Sequence, residues 1–275
     1  MLKDITLGQY YPADSVIHRL DPRVKLFATL IYIISLFTFR GPFAFALITV
    51  ALIAVIYVSK VPFLFIVRGL KSILMIMSIA AVCNLFFTPG TTLVTFWKLT
   101  ITFEGLRSAI LMLLRLSYLI VGTSLMTLTT TPNQLTDGLE KSLHPLTHLK
   151  VPVHEIAMMM SIALRFIPIL TEETDKIMKA QMARGADFES GNLMKKAKNM
   201  VPLLIPLFVS AFRRANDLAL AMEARCYRGG EGRTKMKPLR YQQRDRAAYG
   251  ILFVYLLAVI GLRILWTTYF PGGLI

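Results

Sequence analysis

Acidic residues and cysteines are both scarce in this chain of 275 residues. It has 16 Asp and Glu residues against 31 Lys and Arg residues, and only two cysteines, Cys83 and Cys226. The two cysteines form no CxxC pair, which excludes a disulfide scaffold and a zinc site built on cysteines. The first twenty residues are polar and include several charges, so no cleavable signal peptide is expected.

The sequence also lacks the patterns of the common catalytic classes. It has no P-loop, no Ser/His/Asp or Cys/His arrangement, and no paired carboxylates within its apolar segments. His144 and His148 are four residues apart and His154 is close by, but Pro145 interrupts the helical spacing and no carboxylate or cysteine completes a metal set. We therefore favour a structural or interfacial role for these histidines, and we expect neither enzyme activity nor a bound metal.

The chain is rich in apolar residues and in positive charge. Hydrophobic residues make up 55% of it, charged residues make up 17%, and the formal net charge is +15. Soluble globular domains are less apolar and more charged than this. In such an apolar chain, an excess of Lys and Arg over Asp and Glu is typical of an integral membrane protein whose cytosolic parts carry the positive charge. It does not favour nucleic-acid binding.

Five segments are long and apolar enough to be membrane-spanning helices, which need about 20 residues each. A break is possible near Pro62, and the β-branched and aromatic residues of 92–102 indicate a short hairpin or extended loop. The expected spans are 22–39, 42–59, 72–87, 106–128 and 247–269.

The segment between the fourth and fifth spans, residues 131–246, has a different character. It holds 12 of the 16 acidic residues and 19 of the 31 basic residues. Its apolar and charged residues predict three helices, one short (132–143) and two long (152–184 and 192–225), which are too charged to span the bilayer. We call this segment the helical module. The predicted fold is an all-α integral membrane protein with about five transmembrane helices and a cytosolic module of three helices, two of them long.

The asymmetry of Lys and Arg residues predicts the orientation of the chain. Residues 1–21 form a cytosolic N-terminal segment, and residues 22–130 carry transmembrane helices 1–4. The helical module is cytosolic, and residues 247–275 form the last transmembrane helix and an extracellular tail. The predicted location is the plasma membrane, with the N-terminus inside and the C-terminus outside.

A short signature occurs twice in the helical module, at the end of each long helix. Ala180-Gln181-Met182-Ala183-Arg184-Gly185 aligns with Ala221-Met222-Glu223-Ala224-Arg225-Cys226. The alanines make a smooth helix face, and the arginine presents a planar fork of donors that suits carboxylates and carbonyls of a partner. Each arginine could instead only complement the negative end of its own helix dipole. The presence of two copies favours the partner-binding interpretation.

Apolar residues recur at helical spacing along both long helices. The module is also rich in methionine, whose flexible side chain suits surfaces that accept several partners, although packing into the core explains the same pattern equally well. This apolar stripe comprises Met159, Met160, Ala163, Leu164, Ile167, Leu203, Leu204, Leu207, Phe208 and Ala211.

The chain resembles the transmembrane T component of energy-coupling factor (ECF) transporters over nearly its whole length. The resemblance lies in Leu20-Asp21-Pro22-Arg23 with the upstream Tyr10-Tyr11-Pro12 and Ser15, in the long insert, and in the two signatures. It implies a non-catalytic scaffold that binds two cytosolic ATP-binding-cassette ATPases and a membrane S component. ATP and Mg²⁺ would bind to the ATPases, so this chain would need no cofactor of its own.

The resemblance also assigns roles to residues. The paired signatures of the family correspond to Ala183, Arg184 and Gly185 and to Ala224, Arg225 and Cys226, and the two arginines would enter grooves on the ATPases and transmit their closure. Separately, we expect the methionine-rich apolar stripe to dock the S component. Cys226 departs from the glycine of the family, which puts a glycine-dependent turn at that position in doubt.

The implied function is uptake of vitamins or micronutrients, with the substrate bound by the S component. Two alternatives stay open: a cobalt/nickel-type ECF permease subunit, and a self-contained secondary transporter. The second would usually show two related halves or ionisable residues in the middle of its spans. The sequence has neither an inverted repeat nor an Asp or Glu in the middle of a predicted span.

Overall fold

The computed structural model describes residues 10–38, 42–71, 73–96, 99–186, 188, 192–230, 236 and 238–269. These residues form nine α-helices, one 3-10 helix and one two-stranded hairpin. In chain order they are α1 Pro22–Thr38, α2 Pro42–Ser59, α3 Phe63–Lys71, α4 Leu74–Phe87, β1 Thr92–Phe96, β2 Leu99–Thr102, α5 Phe103–Thr129, α6 Pro132–Leu143, the 3-10 helix His144–Leu149, α7 Val153–Ala183, α8 Leu193–Ala224 and α9 Gln243–Tyr269.

The all-α membrane fold predicted from the sequence is confirmed. The five expected spans correspond to α1, α2, α4, α5 and α9, and the three helices of the module correspond to α6, α7 and α8. The hairpin between α4 and α5 is antiparallel and pairs Thr95 with Thr100. Prolines begin α1, α2 and α6, where a proline loses no helical hydrogen bond. The predicted extracellular tail beyond residue 269 and the predicted break between the first two spans lie outside the described residues.

The connection between α2 and α4 contains a helix that the sequence reading missed. After α2, Lys60 takes a left-handed backbone conformation with φ 56°, and the chain then turns through Val61-Pro62 into α3. Because α3 uses the residues before 72, α4 has only 14 residues and is about 21 Å long. That length is less than the hydrocarbon thickness of a typical bilayer, about 30 Å.

Three helices of the described chain are long and apolar enough to cross a membrane: Phe103–Thr129, Val153–Ala183 and Gln243–Trp266. Two of them, α5 and α9, are expected spans. The third is α7, so the prediction that the module helices are too charged to span is wrong for this helix on length and composition. The reason is that the charges of α7 are concentrated near its ends: between Glu155 and Glu172 the only charged residue is Arg165.

The described residues divide into two compact units. One comprises residues 10–138 and 239–269, and its main apolar core joins α2, α3 and α5. That core consists of Leu52, Val61, Ile66, Val121, Leu125 and Leu128. The other unit comprises residues 139–238, in which α7 packs against α8.

Polar groups at the start of α1 are buried and paired. The Asp21 carboxylate caps the helix by accepting hydrogen bonds from the backbone N–H of Arg23 and from its guanidinium. The guanidinium of Arg23 also lies 3.8 Å from the ring centre of Tyr241. Lys25 does not reach outward to the membrane surface, because its ammonium is buried and donates to the backbone carbonyls of His18 and Thr129.

Candidate functional site

An ion pair joins the two long helices of the module. The Arg214 guanidinium donates to the Glu173 carboxylate over 2.8 Å. Helix α7 has 31 residues and α8 has 32, which correspond to lengths of about 46 Å and about 48 Å. Pro168 lies inside α7, and Pro202 and Pro206 lie inside α8, yet each helix continues through its prolines.

The ion pair lies at the same distance from both Ala-Arg signatures. Arg184 follows Glu173 by eleven residues along α7, and Arg225 follows Arg214 by eleven residues along α8. At 1.5 Å per residue each arginine is about 16 Å beyond the ion pair. Measured along the two helices from their ion pair, the two signatures therefore stand at equivalent positions.

Helix α7 ends in a Schellman motif, in which the last carbonyls of a helix are satisfied by the backbone N–H groups that follow it. The N–H of Gly185 donates to the carbonyl of Met182 over 2.9 Å, and the N–H of Ala186 donates to that of Gln181 over 3.0 Å. Gly185 has φ +88°, a conformation in which glycine avoids the steric penalty of other residues. Arg184 is the capping residue just before it.

Helix α8 ends in the same motif without a glycine. The N–H of Cys226 donates to the carbonyl of Glu223 over 2.8 Å, and the N–H of Tyr227 donates to that of Met222 over 3.0 Å. Cys226 takes φ +55°, and Arg225 is the capping residue. The left-handed turn that the sequence reading placed in doubt at Cys226 is therefore formed, and it places Arg225 as the equivalent turn places Arg184.

Both signature arginines are exposed, as are the alanines Ala183 and Ala224 that precede them. Neither guanidinium has a hydrogen-bond or ion-pair partner among the residues that the structure describes. Attraction to the dipole of their own helices is available to both, since each caps a helix C-terminus. That attraction leaves the donors of the guanidinium unused, and they are available to an external acceptor.

A shallow groove opens beside the second signature. It is lined by residues from the last two turns of α8 and from the segment that follows the helix: Ala219, Met222, Glu223, Cys226, Tyr227 and Arg228. Cys226 lines one side of this groove. Its left-handed turn forms that side, because the turn directs the chain away from the helix axis.

Most of the apolar stripe is accessible. Leu203 is the exception: it is buried, so it contributes to the internal packing of α8. Leu164, Leu207 and Ala211 are half-buried, and the exposed members are Met159, Met160, Ala163, Ile167, Leu204 and Phe208.

Sequence reasoning missed several further apolar residues that α8 exposes, among them Ile205, Val209 and Phe212. The signal was present, because the apolar run of 201–209 is nearly continuous and one face of a helix cannot bury all of it. The Glu173–Arg214 pair was missed for a different reason: among several charges on α7 and α8, the sequence does not indicate which two meet.

The histidines of the module do not form a metal site with the described residues. The ring Nδ1 of His154 is 2.9 Å from the Glu140 carboxylate, and Gly230 packs so closely on the ring that a Cβ there would lie 2.4 Å from it. His144 and His148 are exposed. The contacts of His154 join α6, α7 and the segment after α8, as expected for a structural role.

Comparison with known proteins identifies the family. A family model described as cobalt transport protein matches residues 13–236. The energy-coupling factor transporter transmembrane protein EcfT of Clostridium kluyveri is 56% identical over 268 residues, which cover 97% of this chain and 99% of the relative. The proteins of the same name from Ruminiclostridium cellulolyticum and Bacillus subtilis are 52% identical over 260 residues (94% of this chain, 97% of the relative) and 47% identical over 267 residues (96% and 100%). The chain therefore belongs to the EcfT family, the transmembrane components of ECF transporters, and is a membrane protein.

Proposed function

We propose that this chain is the scaffold that couples two cytosolic ATP-binding-cassette ATPases to a substrate-binding S component in the membrane. ATP and Mg²⁺ bind to the ATPases, and the chain itself catalyses no reaction. The observation that carries the proposal is the equivalence of the two signatures: each ends a long helix in the same capping motif, exposes an arginine, and lies eleven residues beyond one ion pair. Two similar ATPase subunits need two similar attachment points on the scaffold.

The proposed mechanism is mechanical. ATP binding draws the two ATPases together, and Arg184 and Arg225, held in grooves on them, move with them. Because α7 and α8 are joined by the pair between Glu173 and Arg214, displacement of one helix end changes the angle between the two helices. The exposed residues of the apolar stripe pass this change to the S component, which tilts until its substrate site opens to the cytosol.

The orientation required by this mechanism places the helical module in the cytosol. Its 19 Lys and Arg residues, and the basic residues near the start of α1, satisfy the positive-inside rule when the N-terminus is also cytosolic. The division of the chain follows from this. Residues 1–21 are cytosolic, 22–130 and 247–275 belong to the membrane part and its extracellular tail, and 131–246 form the coupling part. A compact unit at 139–238 supports this division.

The apolar stripe is the proposed docking surface for the S component. Exposed methionines and a phenylalanine on α7 and α8 offer flexible apolar contacts, and such contacts adapt to partners of different shape. A scaffold that serves several S components needs this adaptability. The substrates are therefore expected to be vitamins or other micronutrients, with the identity set by the S component.

A second candidate is a permease subunit dedicated to metal uptake. The description of the matching family model, cobalt transport protein, favours it. The two candidates differ in the partner and not in the coupling residues, because in both cases the S component binds the substrate. They are distinguished by whether Co²⁺ or a vitamin is taken up.

Affinity purification of the tagged chain from its native host, followed by mass spectrometry, tests the proposal. We expect two ATPase subunits and one or more small membrane proteins to co-purify, and reconstituted complexes to take up substrate only with ATP. The chain reconstituted alone is the control and is expected to transport nothing. Substrate uptake by the chain alone would instead identify it as a secondary transporter.

A further inference from the structure

Helix α3 is too short to cross the membrane and occupies an unusual place in the chain. Its nine residues, Phe63–Lys71, are about 14 Å long, less than half the hydrocarbon thickness of a bilayer. The helix follows the left-handed turn at Lys60 and ends just before α4. It therefore connects two membrane segments without being one.

One side of α3 holds it at the end of α5. Ile66 is completely buried in the core formed with residues of the last turns of α5, including Leu125 and Leu128. The ring of Phe65 lies 5.3 Å from that of Tyr11, whose backbone N–H donates to the carbonyl of Leu128. Helix α3 therefore lies at the same depth in the membrane as the C-terminal end of α5.

Helix α1 begins at this same level. The ammonium of Lys25, in the first turn of α1, donates to the carbonyl of Thr129 at the C-terminal end of α5 over 2.8 Å. A level at which one long apolar helix ends and another begins is a boundary of the membrane. The basic residues at the start of α1 make it the cytosolic boundary by the positive-inside rule.

Apolar side chains in the first half of α3 are not covered by other parts of the described chain. The exposed fractions of Phe63 and Leu64 are 65% and 75%, and Val67 is also exposed. Exposing such side chains to water is unfavourable by about 25 cal/mol for each Å². A helix at the membrane boundary removes this penalty by turning the exposed side toward lipid.

Along the sequence, the charges on both sides of α3 have one sign. Residues 22–103 contain no Asp or Glu, and three of their seven basic residues are Lys60, Arg68 and Lys71. Along a helix, positions 64, 68 and 71 share one side, and positions 63, 67 and 70 share the adjacent side. A short helix with neighbouring basic and apolar sides is typical of segments that lie in the plane of an anionic membrane surface.

We propose that α3 lies in the headgroup region of the cytosolic leaflet and binds anionic phospholipids. Its exposed apolar side, with Phe63 and Val67, enters the boundary with the acyl chains. The positive charge of Lys60, Arg68 and Lys71 attracts the anionic headgroups to this segment. Helix α3 thereby fixes the depth of the cytosolic ends of α1 and α5. This inference does not depend on the coupling mechanism proposed above.

The position of α3 is tested with spin labels in vesicles of equal parts phosphatidylcholine and phosphatidylglycerol. Cysteines are introduced one at a time, as Phe63→Cys and Leu64→Cys, in a background in which Cys83 and Cys226 are replaced by serine. We expect the label at position 63 to collide with oxygen, which dissolves in lipid, more often than with a water-soluble nickel chelate. Preferential collision with the chelate, or protection from both reagents, would overturn the proposal, since the surface would then face water or protein.

The lipid preference is tested by native mass spectrometry of the protein released from nanodiscs of the same composition. We expect the wild-type protein to retain phosphatidylglycerol over phosphatidylcholine, and the Arg68→Gln/Lys71→Gln variant to lower this ratio at least about fivefold, the contribution of one basic residue near an anionic surface. The matched control, Arg40→Gln/Lys98→Gln, removes the same charge from two connections predicted to lie on the other side of the membrane. An equal fall in the control, or no fall in the α3 variant, would overturn the proposal.

Discussion

The backbone N–H of Asp21 donates a hydrogen bond of 2.9 Å to Oδ1 of Asp245, a residue 224 positions further along the chain. The other carboxylate oxygen of Asp245 accepts from the backbone N–H of Gln242 over 2.7 Å and so caps the start of α9. Asp245 is only 2% exposed. One buried carboxylate therefore joins the beginning of the first transmembrane helix to the beginning of the last.

Replacing Asp245 by alanine is predicted to destabilise the protein. The change leaves the buried N–H of Asp21 without this acceptor, at a cost of about 1–3 kcal/mol, and it also removes the cap from the N–H of the exposed residue Gln242. The measurement is the thermal unfolding midpoint in detergent, compared with Asp217→Ala, which removes an exposed carboxylate from α8 and is expected to change little. Equal midpoints for the two variants would show that the Asp21–Asp245 bond does not stabilise the fold.

Gly122 is predicted to be necessary for the packing of α5 against α1. A Cβ at this position would lie 2.2 Å from the ring of Tyr32, whose hydroxyl donates to the carbonyl of Tyr118 over 2.8 Å. Gly122→Ala therefore forces the ring to move, and such overpacking destabilises a core by about 1–3 kcal/mol. At Gly250, a Cβ would meet no atom of the described chain within 4 Å. Gly250→Ala is thus the control, and a lower unfolding midpoint for it than for Gly122→Ala would contradict the packing described here.

Acidification below about pH 6.5 is predicted to destabilise the N-terminal segment through His18. The pKa of this imidazole is held below its ordinary value of 6.5 by burial, which outweighs its hydrogen bond to the carbonyl of Tyr11. Its other ring nitrogen is 2.7 Å from the Ser15 hydroxyl, so both ring nitrogens are paired in the neutral form. Because the unfolded chain binds a proton at higher pH than the folded chain does, stability falls as the pH drops through 6.5.

The test of this prediction is the change in unfolding midpoint between pH 7.5 and pH 5.5. We expect His18→Gln to have a smaller pH dependence than the wild type, whereas His148→Gln, which removes an exposed histidine, keeps the full dependence. A pH dependence that is identical in the His18→Gln variant and the wild type would rule out His18 as its source.

Removing the glycine at the end of α7 is predicted to weaken its capping motif, whereas introducing a glycine at the end of α8 is predicted not to weaken the equivalent motif. Gly185→Ala places a Cβ on a residue with φ +88°, which costs about 1 kcal/mol or more, whereas Cys226→Gly removes the corresponding strain at φ +55°. Hydrogen exchange of the N–H groups of Ala186 and Tyr227, which close the two motifs, measures this. Relative to the wild type, we expect the exchange rate at Ala186 to rise at least about fivefold in Gly185→Ala. We expect the exchange rate at Tyr227 not to rise in Cys226→Gly. Unchanged exchange at Ala186 would show that the glycine is not required.

Most of the fold follows from local signals in the sequence. Pro22, Pro42 and Pro132 mark where three helices begin, and Gly185 marks where α7 ends, so the predicted limits of these helices agree with the structure within one or two residues. The hairpin was indicated by the β-branched residues of 92–102. These features depend on residues close together in the chain, and one sequence is sufficient to identify them.

The features that escaped prediction depend on distant residues or on competing patterns. In the sequence, Asp245 has the pattern of a surface carboxylate, and its contact with Asp21 is visible only in the structure. Helix α3 was missed because its apolar residues continue the run toward α4, and the packing of Ile66 against α5 joins residues far apart in the chain. The signature arginines were identified correctly as exposed groups at helix ends, but their equal distance from the Glu173–Arg214 pair required the structure.

The central claim is that Arg184 and Arg225 are the attachment points for the ATPases. The most direct measurement is ATP-dependent substrate uptake, together with ATPase co-purification, for Arg184→Ala, Arg225→Ala and the double variant. Lys179→Ala and Arg213→Ala, which remove exposed charges from the same two helices, are the controls. We predict that each signature variant lowers uptake at least about tenfold and that the double variant loses the ATPases, while both controls keep uptake and binding. Full uptake with bound ATPases in the double variant would contradict the account.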